Sequence, residues 1–222
     1  MSITERLNEI RASIPSSVKL VAVSKFHESS SIMETYNAGQ RIFGESRVQE
    51  LIFKYNSLPK DIQWHFIGHL QLNKIKYIVP FIDTIQSVDS VKLMKELNKS
   101  AEKANRKINI LIQIHIAEEE HKYGFSYEEA EDLLRENLSI NFPFLHVTGL
   151  MGMATFTDQT EQIQKEFSEL SDYFSYIKKR YFINNSFFNE LSMGMSDDYS
   201  IAIKEGSTMI RVGSKIFGER HY

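Results

Sequence analysis

The sequence predicts an α/β fold, a single (β/α)8 TIM barrel with one extra helix at its N-terminus, as one domain over residues 1–222. Three observations carry this. Eight short runs of strand character alternate with segments of helical period, and strict alternation implies a parallel sheet. The length of 222 residues falls within the range of such barrels. The first strand runs into Val23-Ser24-Lys25-Phe26, with no glycine-rich turn, which argues against an open doubly wound sheet.

In order, Ile3, Leu7, Ile10 and Ile14 mark an amphipathic first helix ending at Pro15, with Ser2 and Glu5 at capping-box spacing. The apolar run Leu20–Val23 opens the first strand, read as ending at Lys25. Ser31 and Glu34 suggest another capping box, for a helix that stops at Ala38-Gly39. Arg41–Gly44 reads as a strand and Glu45–Asn56 as a helix. Gln63–Gly68 is the third strand, followed by a short helix from about Leu72 to Pro80. Asp83–Val88 is the fourth strand. Val91, Met94, Leu97, Ala101 and Ala104 mark a helix. In the fifth strand, Ile108 to Ile116, the even-numbered isoleucines share one face and Gln113 and His115 the other. Ser126 and Glu129 cap a helix carrying Leu133, Leu134 and Leu138. Leu145–Met153 is the sixth strand, followed by a long helix with Ile163, Phe167, Leu170, Phe174 and Ile177. Glu190–Met193 is the seventh strand, Tyr199–Glu205 a helix stopped by Gly206, and Thr208–Val212 the eighth strand.

Composition narrows the function classes. A net charge of −3 without a basic tract gives no reason to expect nucleic acid or an anionic membrane as partner. With no cysteine, disulfides and thiolate metal sites are excluded. No apolar run reaches transmembrane length and no apolar leader is visible, so a cytoplasmic protein is expected.

Two charges are out of place. Strand alternation groups Lys25 with Val21 and Val23 at the C-terminal mouth of the first strand. It is either a lysine snorkelling from a strand end or an amine held in an apolar pocket, ready for carbonyl chemistry. Arg211 lies inside the last strand between Ile210 and Val212 and points the same way as Met209 and Gly213. It is either paired with a buried carboxylate or a fixed donor to a ligand. The loops after strands seven and eight are the usual phosphate site of such barrels. Here they read Leu191-Ser192-Met193-Gly194-Met195-Ser196 and Val212-Gly213-Ser214-Lys215, with Ser214–Phe217 able to open a short helix. They are either plain turns or an anion cradle. Lysine, cradle and inward arginine on one rim match the aldehyde, phosphate and ring nitrogen of pyridoxal 5′-phosphate. An arginine at the ring nitrogen leaves the ring a weak electron sink, because it does not give up its proton.

These motifs, with Val21-Ala22-Val23-Ser24-Lys25, Phe43-Gly44-Glu45, Trp64-His65-Phe66-Ile67-Gly68 and Gly206-Ser207-Thr208-Met209-Ile210-Arg211-Val212-Gly213, carry a resemblance. From Val21 to Tyr222 the chain resembles the pyridoxal-phosphate homeostasis proteins, single-domain relatives of the alanine racemase N-terminal barrel. The resemblance implies that Lys25 carries the cofactor as an internal aldimine, that Ser192, Gly213 and Ser214 hold its phosphate, and that Arg211 faces its ring nitrogen. It implies a carrier or regulator of the cofactor pool, not an enzyme, with no catalytic residue. Apo pyridoxal-phosphate enzymes are possible recipients, and a monomer is expected. Two positions depart from the family pattern, Ser46 and His115, where asparagine is usual. Ser46 puts a polar contact to the cofactor from that position in doubt. His115 is either an inward imidazole near the ring or a histidine bonded to a neighbour. His65 and His69 are four apart, but Gly68 and the strand reading argue against a metal pair, and no metal site is expected. The alternative is an amino-acid racemase. It needs a base on each face of the ring, and in the racemases the second comes from a further domain that a chain stopping at Tyr222 is not expected to supply. A cofactor-free phosphate-binding hydrolase would want a carboxylate pair at the rim near strands seven and eight, where no convincing one stands.

Overall fold

The computed structural model describes residues 1–119, 123–136 and 138–218; Tyr222, where the resemblance ends, lies outside them. In chain order the elements are α1 (Ile3–Ser13), β1 (Lys19–Val23), α2 (Ser29–Asn37), β2 (Ile42–Glu45), α3 (Val48–Ser57), β3 (Gln63–Phe66), α4 (Ile75–Ile78), β4 (Thr84–Val88), α5 (Val91–Lys103) and β5 (Ile108–Ile114). There follow α6 (Tyr127–Arg135), α7 (Leu138–Asn141), β6 (Leu145–Gly152), α8 (Thr160–Tyr181), β7 (Glu190–Ser192), α9 (Tyr199–Lys204), β8 (Met209–Val212) and α10 (Ser214–Phe217). The strands are parallel and close into a barrel in sequence order, with β1 bonded to both β2 and β8. Among the described residues, no helix is long and apolar enough to cross a membrane.

Alternation divides each strand between two layers. Leu20, Ala22, Trp64, Phe66, Ile85, Ile108, Ile110, Ile112, Leu191, Ile210 and Val212 pack outward into the core shared with the helices. The inward set is mixed. Val21, Val23, Leu111, Met151 and Met209 are apolar, while His65, Gln86, Gln113, Ser192 and Arg211 are buried and polar. A polar barrel interior must satisfy its own hydrogen bonds, and this constraint shapes the site.

Both serine capping boxes at Ser2/Glu5 and Ser126/Glu129 form. The one read at Ser31/Glu34 does not. Helix α2 starts three residues earlier, with Glu28 at its N-cap, and Glu34 instead accepts from the amide and hydroxyl of Thr4, at 3.1 and 3.3 Å, satisfying an orphan donor of α1. Glu45 belongs to β2 and not to the following helix. It is wholly buried because Lys54 of α3 reaches back to it. The first strand ends at Val23, so Lys25 sits in the turn beyond the sheet, and β5 ends at Ile114. Leu138 falls in the separate short α7.

Candidate functional site

A cavity of about 690 Å³ opens at the C-terminal ends of the strands. This is within the roughly 300–1,000 Å³ of small-molecule sites. Val23, Lys25 and Ile67 form one wall, and residues 153–158 of the β6–α8 loop form another. Thr160, Ile163, Met195–Asp198, Ile201, Arg211, Gly213 and Ser214 complete it. The β6–α8 loop is pinned from below by the buried carboxylate of Glu166, which accepts from the Thr155 amide at 2.7 Å and its hydroxyl at 2.6 Å. Phe156 stands at the lip with 91% of its surface exposed.

The turn after β7 is built around Gly194. Its φ of +96° suits glycine, and a Cβ there would come within 2.6 Å of the Ala202 Cβ and 2.9 Å of the Tyr199 Cα. The tight turn brings the Gly194 carbonyl to the Arg211 amide at 3.0 Å. It also delivers Ser196, only 8% exposed, to the cavity wall, where its Oγ accepts from the Gly213 amide at 3.2 Å. Asp198 accepts from the Met195 amide at 2.5 Å and closes the turn.

Arg211 is buried, and burial pushes its guanidinium down to about 10 against the opposing pull of Asp198. It remains a cation at neutral pH. Nη2 donates to the Gly152 carbonyl at 2.9 Å and Nη1 to Ser192 Oγ at 2.7 Å. Of the five donors of a guanidinium these use two, leaving others for an acceptor in the cavity. Ser192 Oγ in turn donates to Gln86 Oε1 at 2.7 Å, and Gln86 Nε2 meets His65 Nδ1 at 2.8 Å. On its far side, His65 Nε2 lies 3.5 Å from Asp83.

The structure thus brings four of the five expected site residues to one cavity: Lys25 half-buried, Arg211 buried, Gly213 half-buried and Ser214 exposed at the rim. Ser192 is not among them. It is wholly buried beneath Arg211 with its hydroxyl engaged on both sides. Ser196 occupies the wall position instead. The sequence reading missed it, although it stands in the same quoted motif, four residues further on and clear of the strand. Ser46 lies outside this cavity and lines a separate recess with Arg47, His69 and Lys74. His115 is half-buried and bonded to its neighbour, with Nε2 3.0 Å from the Glu119 carbonyl. His65 and His69 serve different partners, and no metal-binding group of three or more acidic or histidine side chains occurs among the described residues.

The family model described as alanine racemase, N-terminal domain, matches residues 1–221. A curated relative from Aquifex aeolicus named pyridoxal phosphate homeostasis protein is 38% identical over 205 residues, covering 92% of this chain and 88% of its own. The chain belongs to the pyridoxal phosphate homeostasis protein family. A family member from Homo sapiens is 37% identical over 214 residues, covering 92% of this chain and 77% of its own. Among solved structures, PipY of Synechococcus elongatus, described with PLP bound, superposes with a TM-score of 0.87 at 36% identity, over 98% of this chain and all of that one. Alanine racemase of Clostridium difficile gives a TM-score of 0.77 at 14% identity and is covered to 60%, a likeness of fold alone.

Proposed function

We propose that this chain binds pyridoxal 5′-phosphate in the cavity between β1, β7 and β8 and serves the homeostasis of that cofactor. The carrying observation is that a lysine amine, a buried arginine and a cluster of hydroxyls and amides line one cavity. The family's name and the PLP-bound PipY relative support the same ligand.

The residues present fit the group. In this reading Lys25 Nζ binds the aldehyde covalently. Ser196, the Gly213 amide and Ser214 hold the phosphate; Ser196 Oγ accepts from Gly213, so its own hydrogen is available to an anion. Arg211 donates to the ring nitrogen. When bound, the group supplies an electrophilic aldehyde and an electron-withdrawing ring. Arg211 keeps its proton at neutral pH, so it offers the ring nitrogen a hydrogen bond in place of protonation, which limits carbanion stabilisation. That favours a non-catalytic carrier over an amino-acid racemase. Within this reading the whole chain is one cofactor-binding domain, apo pyridoxal-phosphate enzymes are the recipients, and the carrier is a cytoplasmic monomer.

The test is borohydride fixation followed by peptide mapping. Wild type is expected to carry one label, on Lys25, and Lys25→Ala none, with an unchanged circular dichroism spectrum. Stoichiometric label on another lysine of the variant would overturn the assignment.

A further inference from the structure

Behind the cavity wall that carries Lys25 lies a buried cluster of charges that the ligand site does not use. Lys54 of α3 is 2% exposed and donates three hydrogen bonds: to the Ser24 carbonyl at 2.7 Å, Glu45 Oε1 at 2.8 Å and Glu50 Oε1 at 2.6 Å. Glu45 Oε1 also accepts from the Ser24 hydroxyl at 2.6 Å, and Glu50 Oε1 from the Phe26 amide at 2.6 Å. The residues on either side of Lys25 in the chain are therefore both tied to one ion cluster, Ser24 by side chain and carbonyl and Phe26 by its amide. Phe26 has a φ of 69°, a conformation uncommon for a residue with a side chain, and such backbone persists only where its surroundings enforce it. The Phe26 ring is held as well, with the Arg47 guanidinium 4.6 Å from its centroid.

We propose that Glu45, Glu50 and Lys54 form a clamp that positions Lys25, holding the turn 24–26 in its left-handed form so that the lysine amine is presented to the cavity. They are positioning residues, since none of them lines the cavity. Three buried or half-buried charges are a costly way to join a helix to a strand, because each must be desolvated and an apolar contact would serve packing as well. What an apolar contact lacks is the geometry: an acceptor for a turn amide and a donor for a turn carbonyl. Glu50 is the informative member. It is half-buried, its carboxylate is the acceptor for Phe26, and Lys54 retains Glu45 and the Ser24 carbonyl without it.

This inference rests on the cofactor reading for one of its arms, so the experiment has a second arm in the unloaded protein. There, amide hydrogen exchange at Phe26 is expected to quicken about ten-fold or more in Glu50→Ala, the worth of one charge-assisted hydrogen bond, and to stay near wild type in Glu50→Gln, which keeps an acceptor. In the loaded arm, the rate of borohydride-fixable capture of pyridoxal 5′-phosphate by Lys25 is expected to fall about ten-fold in Glu50→Ala and to recover in Glu50→Gln. Capture condenses the Lys25 amine with the aldehyde and releases one water. Affinity for pyridoxine 5′-phosphate, which has no aldehyde, should be the same in all three proteins. If Glu50→Ala does not fold, Glu50→Asp withdraws the carboxylate from Phe26 with its charge kept and should act in the same direction. Wild-type exchange and capture in Glu50→Ala, or in Glu50→Asp where that variant replaces it, would overturn the clamp, as would an equal loss of pyridoxine 5′-phosphate affinity. Absence of label on Lys25 in wild type would instead overturn the cofactor reading, and the exchange arm would still decide the clamp.

Discussion

Ser192 and Ser196 stand four residues apart in one motif, and the structure gives them different tasks that one pair of variants separates. Ser192 Oγ is wholly buried between Arg211 Nη1 and Gln86 Oε1, each at 2.7 Å. Ser192→Ala leaves one guanidinium donor and one amide acceptor without partners inside the barrel. A buried neutral group left unsatisfied costs roughly 1–3 kcal/mol and a charged one more, so the expected loss of folding stability is roughly 2–5 kcal/mol. Ser196→Ala removes a single acceptor from the Gly213 amide at the wall of an open cavity, where water can replace it. Its stability cost is about 1 kcal/mol or less, but it deletes a hydroxyl proposed to bond a phosphate, roughly 1.5–3 kcal/mol or about 10–100-fold in Kd. Urea denaturation of the unloaded proteins gives the first ranking, and equilibrium dialysis with pyridoxal 5′-phosphate gives the second. The ranking of the two variants should invert between the assays. If Ser192→Ala melts like wild type yet loses the ligand, while Ser196→Ala binds normally, the phosphate belongs to Ser192 and the geometric argument fails.

Two further outcomes follow. Burial lifts the Glu45 carboxyl from its ordinary 4.5 to about 7 in spite of Lys54 and Ser24; its folded value being the higher, ionisation costs stability that is absent below about pH 4.5, grows to about pH 7 and is full above it. Wild type should therefore gain up to roughly 3 kcal/mol relative to Glu45→Gln on going from neutral pH to about 4.5, and parallel urea-midpoint profiles for the two proteins would refute this. Chiral analysis of L- and D-alanine incubated with cofactor-loaded protein should show no racemisation approaching about 1 s⁻¹, the low end of ordinary enzyme rates; turnover at that rate, lost in Lys25→Ala, would promote the racemase.

The barrel was legible because its signals are local. Five isoleucines at alternate positions from Ile108 to Ile116 report a strand with one face to helices, and Ser2/Glu5 and Ser126/Glu129 report helix starts within four residues. Lys25 and Arg211 were legible as charges in apolar surroundings. What failed depended on distant partners. Glu45 reads as a helix opener until Lys54, nine residues on, is folded back upon it. Ser31 and Glu34 have capping spacing, but Glu34 is claimed by Thr4, thirty residues away in sequence. Alternation says which way Ser192 points but not how deep, and depth is what separates it from Ser196. The long side chain of Arg211 reaches its hydroxyl and claims it.

That contact fixes more than position. A guanidinium only donates, so Ser192 Oγ must accept from Arg211 and send its own hydrogen elsewhere. The partner is Gln86 Oε1, which turns Gln86 Nε2, a donor, towards His65. His65 Nδ1 must then accept, so in the neutral ring Nε2 carries the hydrogen, and it faces Asp83. Burial alone would raise the Asp83 carboxyl, but hydrogen bonds from His65 and Thr84 outweigh it and hold the carboxyl below its ordinary value, as expected of an acceptor at the end of the chain. Each link from Asp83 to Arg211 therefore has one permitted direction, and the chain ends on Arg211 as a donor. A barrel core wired in this sense keeps a permanent donor at its mouth. In the proposed complex, the ring nitrogen would receive a hydrogen bond without a proton. In that complex such a site would hold the cofactor while lending its ring little help as an electron sink.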